Sequence, residues 1–218
     1  MNEEWLPRMG TPPAYTERGR RFDSVMKYLM GGDVPLRLQG MPPYYVRYVM
    51  PDAGPDTAHL LRAADTRHVR YRIDPGLGIS EDELNAQVRR IVPPAGARSR
   101  SANPAFAELT GRLTVPVLAI HETGDGRVPW SLQQSYRRRA VAAGADHLLV
   151  QRAVRWPGHC AFDGEVTAQG LDDLVAWIER GIKPDGDDVL SADVARLGLR
   201  WTPLFHLDDP ARRAGRRP

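Results

Sequence analysis

Hydrophobic and polar positions follow regular periods in the second half of the chain. Residues 115–121 form a nearly continuous apolar run, which predicts a strand buried on both faces of a parallel sheet. A second run over 147–154, with apolar residues on both sides of Gln151 and Arg152, predicts another strand. Each run is followed by a helical pattern, and the order strand, helix, strand, helix predicts an α/β unit with parallel strands.

The two helices of this unit have their own start and stop signals. Ser131 and Gln134 match a capping box, which predicts a helix that ends near Gly144. The second helix is predicted over 167–180 and is stopped by Gly181. Its apolar side chains are expected to form one buried stripe, made of Leu171, Leu174, Val175 and Ile178.

Patterns in the first half of the chain are weaker. Apolar residues from Phe22 recur at helical spacing until Gly31, which predicts an amphipathic helix. Ser80 with Glu83 matches a capping box, which predicts a helix closed by Pro93. The remaining patterns predict irregular, proline-rich backbone over 41–55, a short helix over 56–64, a weak strand over 68–73 and a short helix from Asn103.

Composition changes near residue 100, where a linker-like segment of arginine, serine and proline separates the two halves. The 19 prolines among 218 residues predict long irregular connections. We therefore expect a poorly ordered lead-in (1–20), a helical, Pro-rich region with its linker (21–103), a compact α/β unit (104–184) and an extended tail (185–218).

Charge and residue usage argue against several functions. The net charge is +3, and the short basic runs have no interleaved aromatic residues, so nucleic-acid binding is not expected. No run of about 20 apolar residues predicts a membrane span, and with no signal peptide in this sequence the cytoplasm is the default expectation. The six histidines lack metal-ligand spacing, and the glycines near Gly78 lack the third glycine of a phosphate loop, so no metal and no cofactor are expected.

Two residues with catalytic chemistry follow the predicted strands. Asp125 lies on the loop after the first strand and His159 on the loop after the second, each beside glycine. Taken singly, each is an ordinary loop residue. The carboxyl ends of parallel strands meet at one edge of a sheet, however, and α/β sheets bind ligands there. A carboxylate at that edge can hold an imidazole in one tautomer, so we expect the two side chains within hydrogen-bond reach.

The sequence around this pair resembles the C-terminal part of an α/β-hydrolase. "PVLAIHETGDGRVPW" is similar to the strand and acid loop of that family, and "PGHCAF" is similar to the loop that carries its histidine. The resemblance implies that Asp125 is the acid and His159 the base of a Ser–Asp–His triad. It also implies a partial α/β-hydrolase-like parallel sheet with flanking helices, preceded over 21–103 by a lid-like region. Glu122 departs from the glycine that usually follows the strand histidine.

The nucleophile that this resemblance requires is missing. The family's serine lies in Gly-x-Ser-x-Gly upstream of the acid, and this sequence has no such motif. Ser80 follows Gly78, but Asp82 replaces the second glycine, which favours an ordinary helix cap. Cys160 directly follows His159, and side chains of neighbouring loop residues rarely face each other. We therefore expect a small buried thiol rather than a Cys–His site.

Two functions remain open from the sequence. In one, the chain belongs to a lineage of serine acyl hydrolases that cleave esters or amides, and it is inactive alone because the nucleophile half is a separate chain or an upstream segment. In the alternative, it is a truncated, non-catalytic interaction module. A sheet without its first strands exposes an edge, through which it would bind a partner or self-associate.

Overall fold

The structure, a computed structural model, describes residues 8–11, 14–44 (of 42–44 the backbone only), 63–99, 101–102, 109–161 and 163–199. The elements in these ranges are, in chain order, β1 Gly10–Thr11, β2 Ala14–Tyr15, α1 Glu17–Leu29, α2 Arg37–Tyr44, α3 Glu81–Gln87, β3 Val117–Glu122, α4 Trp130–Ala142, β4 Leu149–Val154 and α5 Gly164–Arg180. The short helix expected from Asn103 and most of the one expected over 56–64 lie outside the described residues.

The described residues belong to two compact units. The first lies within Met1–Gly32 and Pro42–Thr110, and the second within Asp33–Met41 and Gly111–Pro218. The sequence predicted a change of region near residue 103, but it did not predict that 33–41 would join the second unit. The fold is mixed α/β, with a small parallel sheet in the second unit.

The first unit begins with regular structure inside the expected lead-in of 1–20. β1 and β2 form a short antiparallel pair, and α1 starts at Glu17 rather than at Phe22. The earlier start has a local cause, because the Thr16 side chain accepts a hydrogen bond from the Gly19 N–H at 3.1 Å and caps the helix.

A carboxylate joins α1 to a loop of the same unit. Asp74 accepts hydrogen bonds from Ser24 Oγ at 2.7 Å, from Lys27 Nζ at 2.6 Å and from Tyr28 Oη at 2.8 Å. Burial acts to raise the pKa of Asp74, but the hydrogen bonds from Lys27, Ser24 and Tyr28 together outweigh it and hold the pKa at about 2. Since Ser24 is only 4% exposed, this network fixes the loop on the buried face of the helix.

The strand expected over 68–73 is not present, so that prediction is wrong. The backbone of this segment bonds to a side chain instead of to another strand. Asn85 of α3 accepts from the Tyr71 N–H at 2.9 Å and donates to the Tyr71 carbonyl at 2.7 Å. The capping box that starts α3 is confirmed, with both the Ser80 and the Glu83 hydrogen bonds in place.

The prediction of irregular backbone is wrong for 41–44, which belong to α2. The helix follows Leu36, whose φ of 62° turns the chain, and whose carbonyl accepts the N–H groups of Gln39 and Gly40, each at 3.1 Å. Met41 is 1% exposed. Burial of this side chain favours the helix despite the prolines that follow it.

The sheet of the second unit is formed by β3 and β4, which pair in parallel from Val117 opposite Leu149 to Glu122 opposite Val154. Every residue of β4 is buried. The residues of β3 before Glu122 are only partly buried, so the expectation that this strand is buried on both faces is wrong. Among the described strands, β3 has a neighbour on one side only.

Helix α4 connects the two strands and packs on both of them. Its predicted capping box is wrong, because the helix starts at Trp130 after Pro129 and no side chain caps it. Trp130 is 1% exposed and anchors the core of the unit. The other buried members of that core are Val34, Ala153, Val189 and Leu197.

Helix α5 packs on β3, but not through the stripe that was expected. Leu171 is 61% exposed and Ile178 60% exposed, whereas Gly170, Ala176 and Trp177 are buried. A Cβ at Gly170 would lie 2.5 Å from Cδ1 of Ile120, so a glycine lets the helix approach the strand closely. The expected stop at Gly181 is confirmed, with φ of 69°.

The described part of the expected tail, residues 185–199, is packed against the sheet. Asp187 donates its backbone N–H to the Gln151 carbonyl at 2.7 Å, and its carboxylate accepts the Ala153 N–H at 2.7 Å. Val189 and Leu197 are both buried in the core. This segment therefore closes the edge of β4 that faces away from β3.

Candidate functional site

Asp125 and His159 meet at the carboxyl end of the parallel sheet. Asp125 follows β3 and His159 follows β4, and Oδ2 of Asp125 lies 2.7 Å from Nδ1 of His159. The carboxylate side chain is 3% exposed, and the imidazole is 32% exposed. The contact that the sequence predicted is present. Its catalytic role stays a prediction.

The loop that presents Asp125 continues the hydrogen bonding of the sheet. The Thr123 N–H donates to the Val154 carbonyl at 2.9 Å, and the Gly124 N–H donates to the Trp156 carbonyl at 3.0 Å. A Cβ at Gly124 would lie 2.7 Å from the Leu36 carbonyl oxygen, so only glycine fits between the neighbouring backbones. The sheet itself thus brings the two catalytic candidates to adjacent positions.

The Asp125 carboxylate is fixed by the backbone of its own loop. Its Oδ1 accepts the N–H groups of Arg127 at 2.7 Å and Val128 at 3.0 Å, which leaves Oδ2 for His159. An ionised carboxylate only accepts hydrogen bonds, so Nδ1 of the neutral imidazole carries the hydrogen. The lone pair of the ring then lies on Nε2, the nitrogen from which a general base acts.

Glu122 holds the loop on which His159 lies, and sequence reasoning missed this role. The residue is 2% exposed, and its carboxylate accepts the N–H groups of Cys160 at 2.8 Å and Ala161. A buried carboxylate needs such partners, because an unpaired one would be strongly destabilising. The signal in the sequence was an acidic residue at the end of an apolar strand.

Cys160 does not lie where the sequence predicted. The thiol is exposed rather than buried, and its Sγ lies 3.8 Å from Nε2 of His159. The backbone of Cys160 has φ of 51°, in the left-handed region that residues other than glycine rarely adopt. The two neighbouring side chains therefore face each other, contrary to expectation.

Ser80 belongs to the first unit and acts there as a helix cap. Its Oγ accepts the Glu83 N–H at 3.2 Å and donates to Oε2 of the same residue at 2.8 Å. Ser24 is engaged with Asp74, and Ser99 shares a hydrogen bond with Ser101. The serines that precede Asp125 in the sequence all have hydrogen-bond partners within the first unit.

A cleft of about 500 Å³ in the second unit is separate from this pair of residues. Its lining includes Arg152 and Asp173, whose side chains form an ion pair at 2.6 Å, but neither Asp125 nor His159. Within the ranges that the structure describes, no group of three or more His, Cys, Asp or Glu side chains is placed to hold a metal ion.

Comparisons of the chain with protein-family models, with curated proteins and with solved structures gave no match. Across the described residues, no helix is both long and apolar enough to cross a membrane. Functional inference for this protein therefore rests on its fold and on the geometry of the two loops.

Proposed function

We propose that the second unit is the acid–base half of a serine acyl hydrolase of the α/β-hydrolase type. The observation that carries this proposal is the 2.7 Å contact between Asp125 and His159 on loops after two consecutive parallel strands. In this role Nε2 of His159 takes a proton from a nucleophile, and Asp125 keeps the ring in the competent tautomer. The substrate class is an ester or an amide.

The serine and the oxyanion-binding groups come from another chain in this proposal. The sequence has no Gly-x-Ser-x-Gly, and loss of the serine from such a triad typically costs ~10⁶ in turnover. The chain alone is therefore an inefficient hydrolase. The edge of β3 that has no neighbour among the described strands is where a sheet carrying the missing strands would add.

Proton NMR of the purified chain tests the acid–base pair. We expect a strongly downfield Nδ1–H resonance that disappears in Asp125→Asn and persists in His147→Gln, a control in an exposed histidine of the same unit. A wild-type spectrum without this resonance, or one that Asp125→Asn leaves unchanged, would contradict the proposal.

Labelling with a fluorophosphonate tests the absence of a serine nucleophile. We expect no stoichiometric labelling of any serine in the intact mass. Labelling that is lost in Ser80→Ala would instead make Ser80 the nucleophile and would overturn the assignment of an incomplete site.

A second candidate function is a non-catalytic module that self-associates. The observation that favours it is the apolar surface beside β3, where Leu171 and Ile178 are each about 60% exposed on α5, which packs on that strand. A second copy of the chain would pair its own β3 with this edge and cover these side chains.

Sedimentation velocity over a range of protein concentrations tests self-association. We expect a concentration-dependent dimer that Leu171→Glu weakens and Ala142→Glu, at an exposed position of α4, does not. A chain that stays monomeric at all concentrations excludes this second function and leaves the hydrolase proposal standing.

A further inference from the structure

We propose that Cys160 is a nucleophile that His159 activates, and that it accepts acyl groups from thioesters. The feature is a chain of three side chains in contact, not an isolated thiol. Asp125 Oδ2 lies 2.7 Å from one nitrogen of the imidazole, and Sγ of Cys160 lies 3.8 Å from the other. Nucleophile, base and orienting acid are thus arranged in the order that covalent catalysis requires.

The direction of proton transfer follows from the tautomer of His159. Because Nδ1–H is donated to Asp125, the lone pair on Nε2 faces the thiol. Contacts between a nucleophile and its base are often long in a free protein and shorten when substrate binds, so 3.8 Å is compatible with transfer.

The backbone of the loop is what turns Cys160 toward its neighbour. Its φ of 51° is held by the carboxylate of Glu122, which accepts the N–H groups of both Cys160 and Ala161. A strained backbone conformation persists only where surrounding contacts hold it in place. For Cys160 these contacts are the hydrogen bonds to the buried Glu122 carboxylate. The thiol is exposed, so an acyl donor can reach it.

The covalent step balances without a further reactant. The Cys160 thiol gives its proton to Nε2 of His159 as its sulfur attacks the thioester carbonyl carbon. The bond from that carbon to the departing sulfur breaks, and the departing thiolate takes the proton from the imidazolium. The products are S-acylated Cys160 and a free thiol, and no atom changes its oxidation state. Asp125 stabilises the imidazolium during the exchange, while the Glu122 carboxylate keeps its hydrogen bonds with the backbone N–H groups of Cys160 and Ala161.

A thioester is the acyl donor that suits this site. Exchange between two thiol groups is nearly balanced in energy, and a thiolate leaves more readily than an amine or an alkoxide. The step thus needs less stabilisation of an oxyanion than amide cleavage does. This inference uses the contact between Asp125 and His159 but does not depend on a serine supplied by another chain.

Acetyl transfer from S-phenyl thioacetate tests the proposal. The chain has one cysteine, so a mass gain of one acetyl group that Cys160→Ser abolishes places the modification. We expect the wild-type chain at neutral pH to react about a hundredfold faster than N-acetylcysteine, the lower end of what a positioned base provides. A rate equal to or below that of N-acetylcysteine would overturn the proposal without any variant.

Substitutions of His159 and Asp125 test whether the imidazole causes the faster acetyl transfer. We expect His159→Gln and Asp125→Asn to lower the rate about a hundredfold or more, and His147→Gln to leave it unchanged. Equal rates in wild type and His159→Gln, with circular dichroism showing both folded, would refute activation by His159. The acetyl-transfer rate and the NMR resonance of the acid–base pair are separate measurements. A resonance that is present with no enhanced transfer overturns this inference and leaves the proposed acid–base pair standing.

Discussion

Glu122 stands where the resembled family usually has glycine, and its carboxylate makes two contacts that glycine could not. It accepts the N–H groups of Cys160 and Ala161. Spacing in the sequence predicted Asp125 and His159, because both follow strands. It could not predict Glu122, since the contact depends on how the loop after β4 folds back over the end of β3.

Replacement of Glu122 by glutamine tests its role in holding the loop. Glu122→Gln keeps the size of the side chain but turns an N–H₂ group toward one of the two backbone N–H donors. We expect the free energy of unfolding to fall by about 1.5–3 kcal/mol, the contribution of a hydrogen bond to a charged group. Urea unfolding measures this, with the exposed Glu179→Gln as control. Equal stability of the two variants would show that the loop after β4 keeps its conformation without the Glu122 hydrogen bonds.

Local sequence patterns predicted some helix starts and packed helix faces of this protein correctly and others wrongly. The capping boxes at Ser80 and Ser131 look alike, but only the first forms, because burial of Trp130 sets the start of α4. The stripe on α5 has helical period, yet the close approach at Gly170 decides which face packs. Tertiary contacts of this kind cannot be read from local pattern.

The ion pair between Lys27 of α1 and Asp74 predicts that the stability of the first unit depends on pH. The pKa of Asp74 is lowered to about 2 from its ordinary value of 3.8, so its contribution to stability is present above about pH 4. It is lost as the pH falls through 2. The side chain is 35% exposed, so solvent screens the pair and the effect is modest.

Thermal unfolding followed by circular dichroism between pH 5 and pH 2 checks this dependence. We expect Tm of the wild-type chain to fall more steeply than Tm of Asp74→Asn over this interval. Parallel decreases in both proteins would mean that other carboxylates cause acid unfolding.

The turn between β3 and Asp125 predicts a sharp preference for glycine. Gly124→Ala would place a Cβ 2.7 Å from the Leu36 oxygen and 2.8 Å from the Pro157 Cα. We expect a loss of about 1–3 kcal/mol in the free energy of unfolding, as for overpacked sites. Gly164→Ala is the matched control, since nothing lies within 4 Å of its Cβ at the start of α5. Denaturant unfolding of both variants should separate them, and equal stabilities would argue against the close packing of this turn.

Across the whole molecule, the sequence predicted the α/β unit and the meeting of its two catalytic candidates. Strand period, loop glycines and strand order were sufficient for that, because parallel strands end at one edge. It did not predict that 33–41 would join the second unit, nor that 185–199 would pack on β4. Both are contacts between segments distant in sequence, and no local period encodes them.

Limited proteolysis tests the division of the chain. The segment 95–99 is largely exposed and has no helix or strand, so trypsin should cut first at Arg98 or at the chain ends. We expect a resistant fragment that contains β3, β4 and α5, identified by mass spectrometry. Early cuts between 117 and 180 would contradict the second unit as an independent compact body.

Asp187 determines at which edge the small sheet can be extended. Its backbone and carboxylate occupy the hydrogen-bonding groups of Gln151 and Ala153, so a further strand cannot add beyond β4. Among the described strands, only β3 leaves an edge to which another strand can add, so two chains that pair through it leave no further open edge of these strands. One residue thereby limits strand-mediated assembly to a single step and blocks the open-ended stacking from which fibres grow.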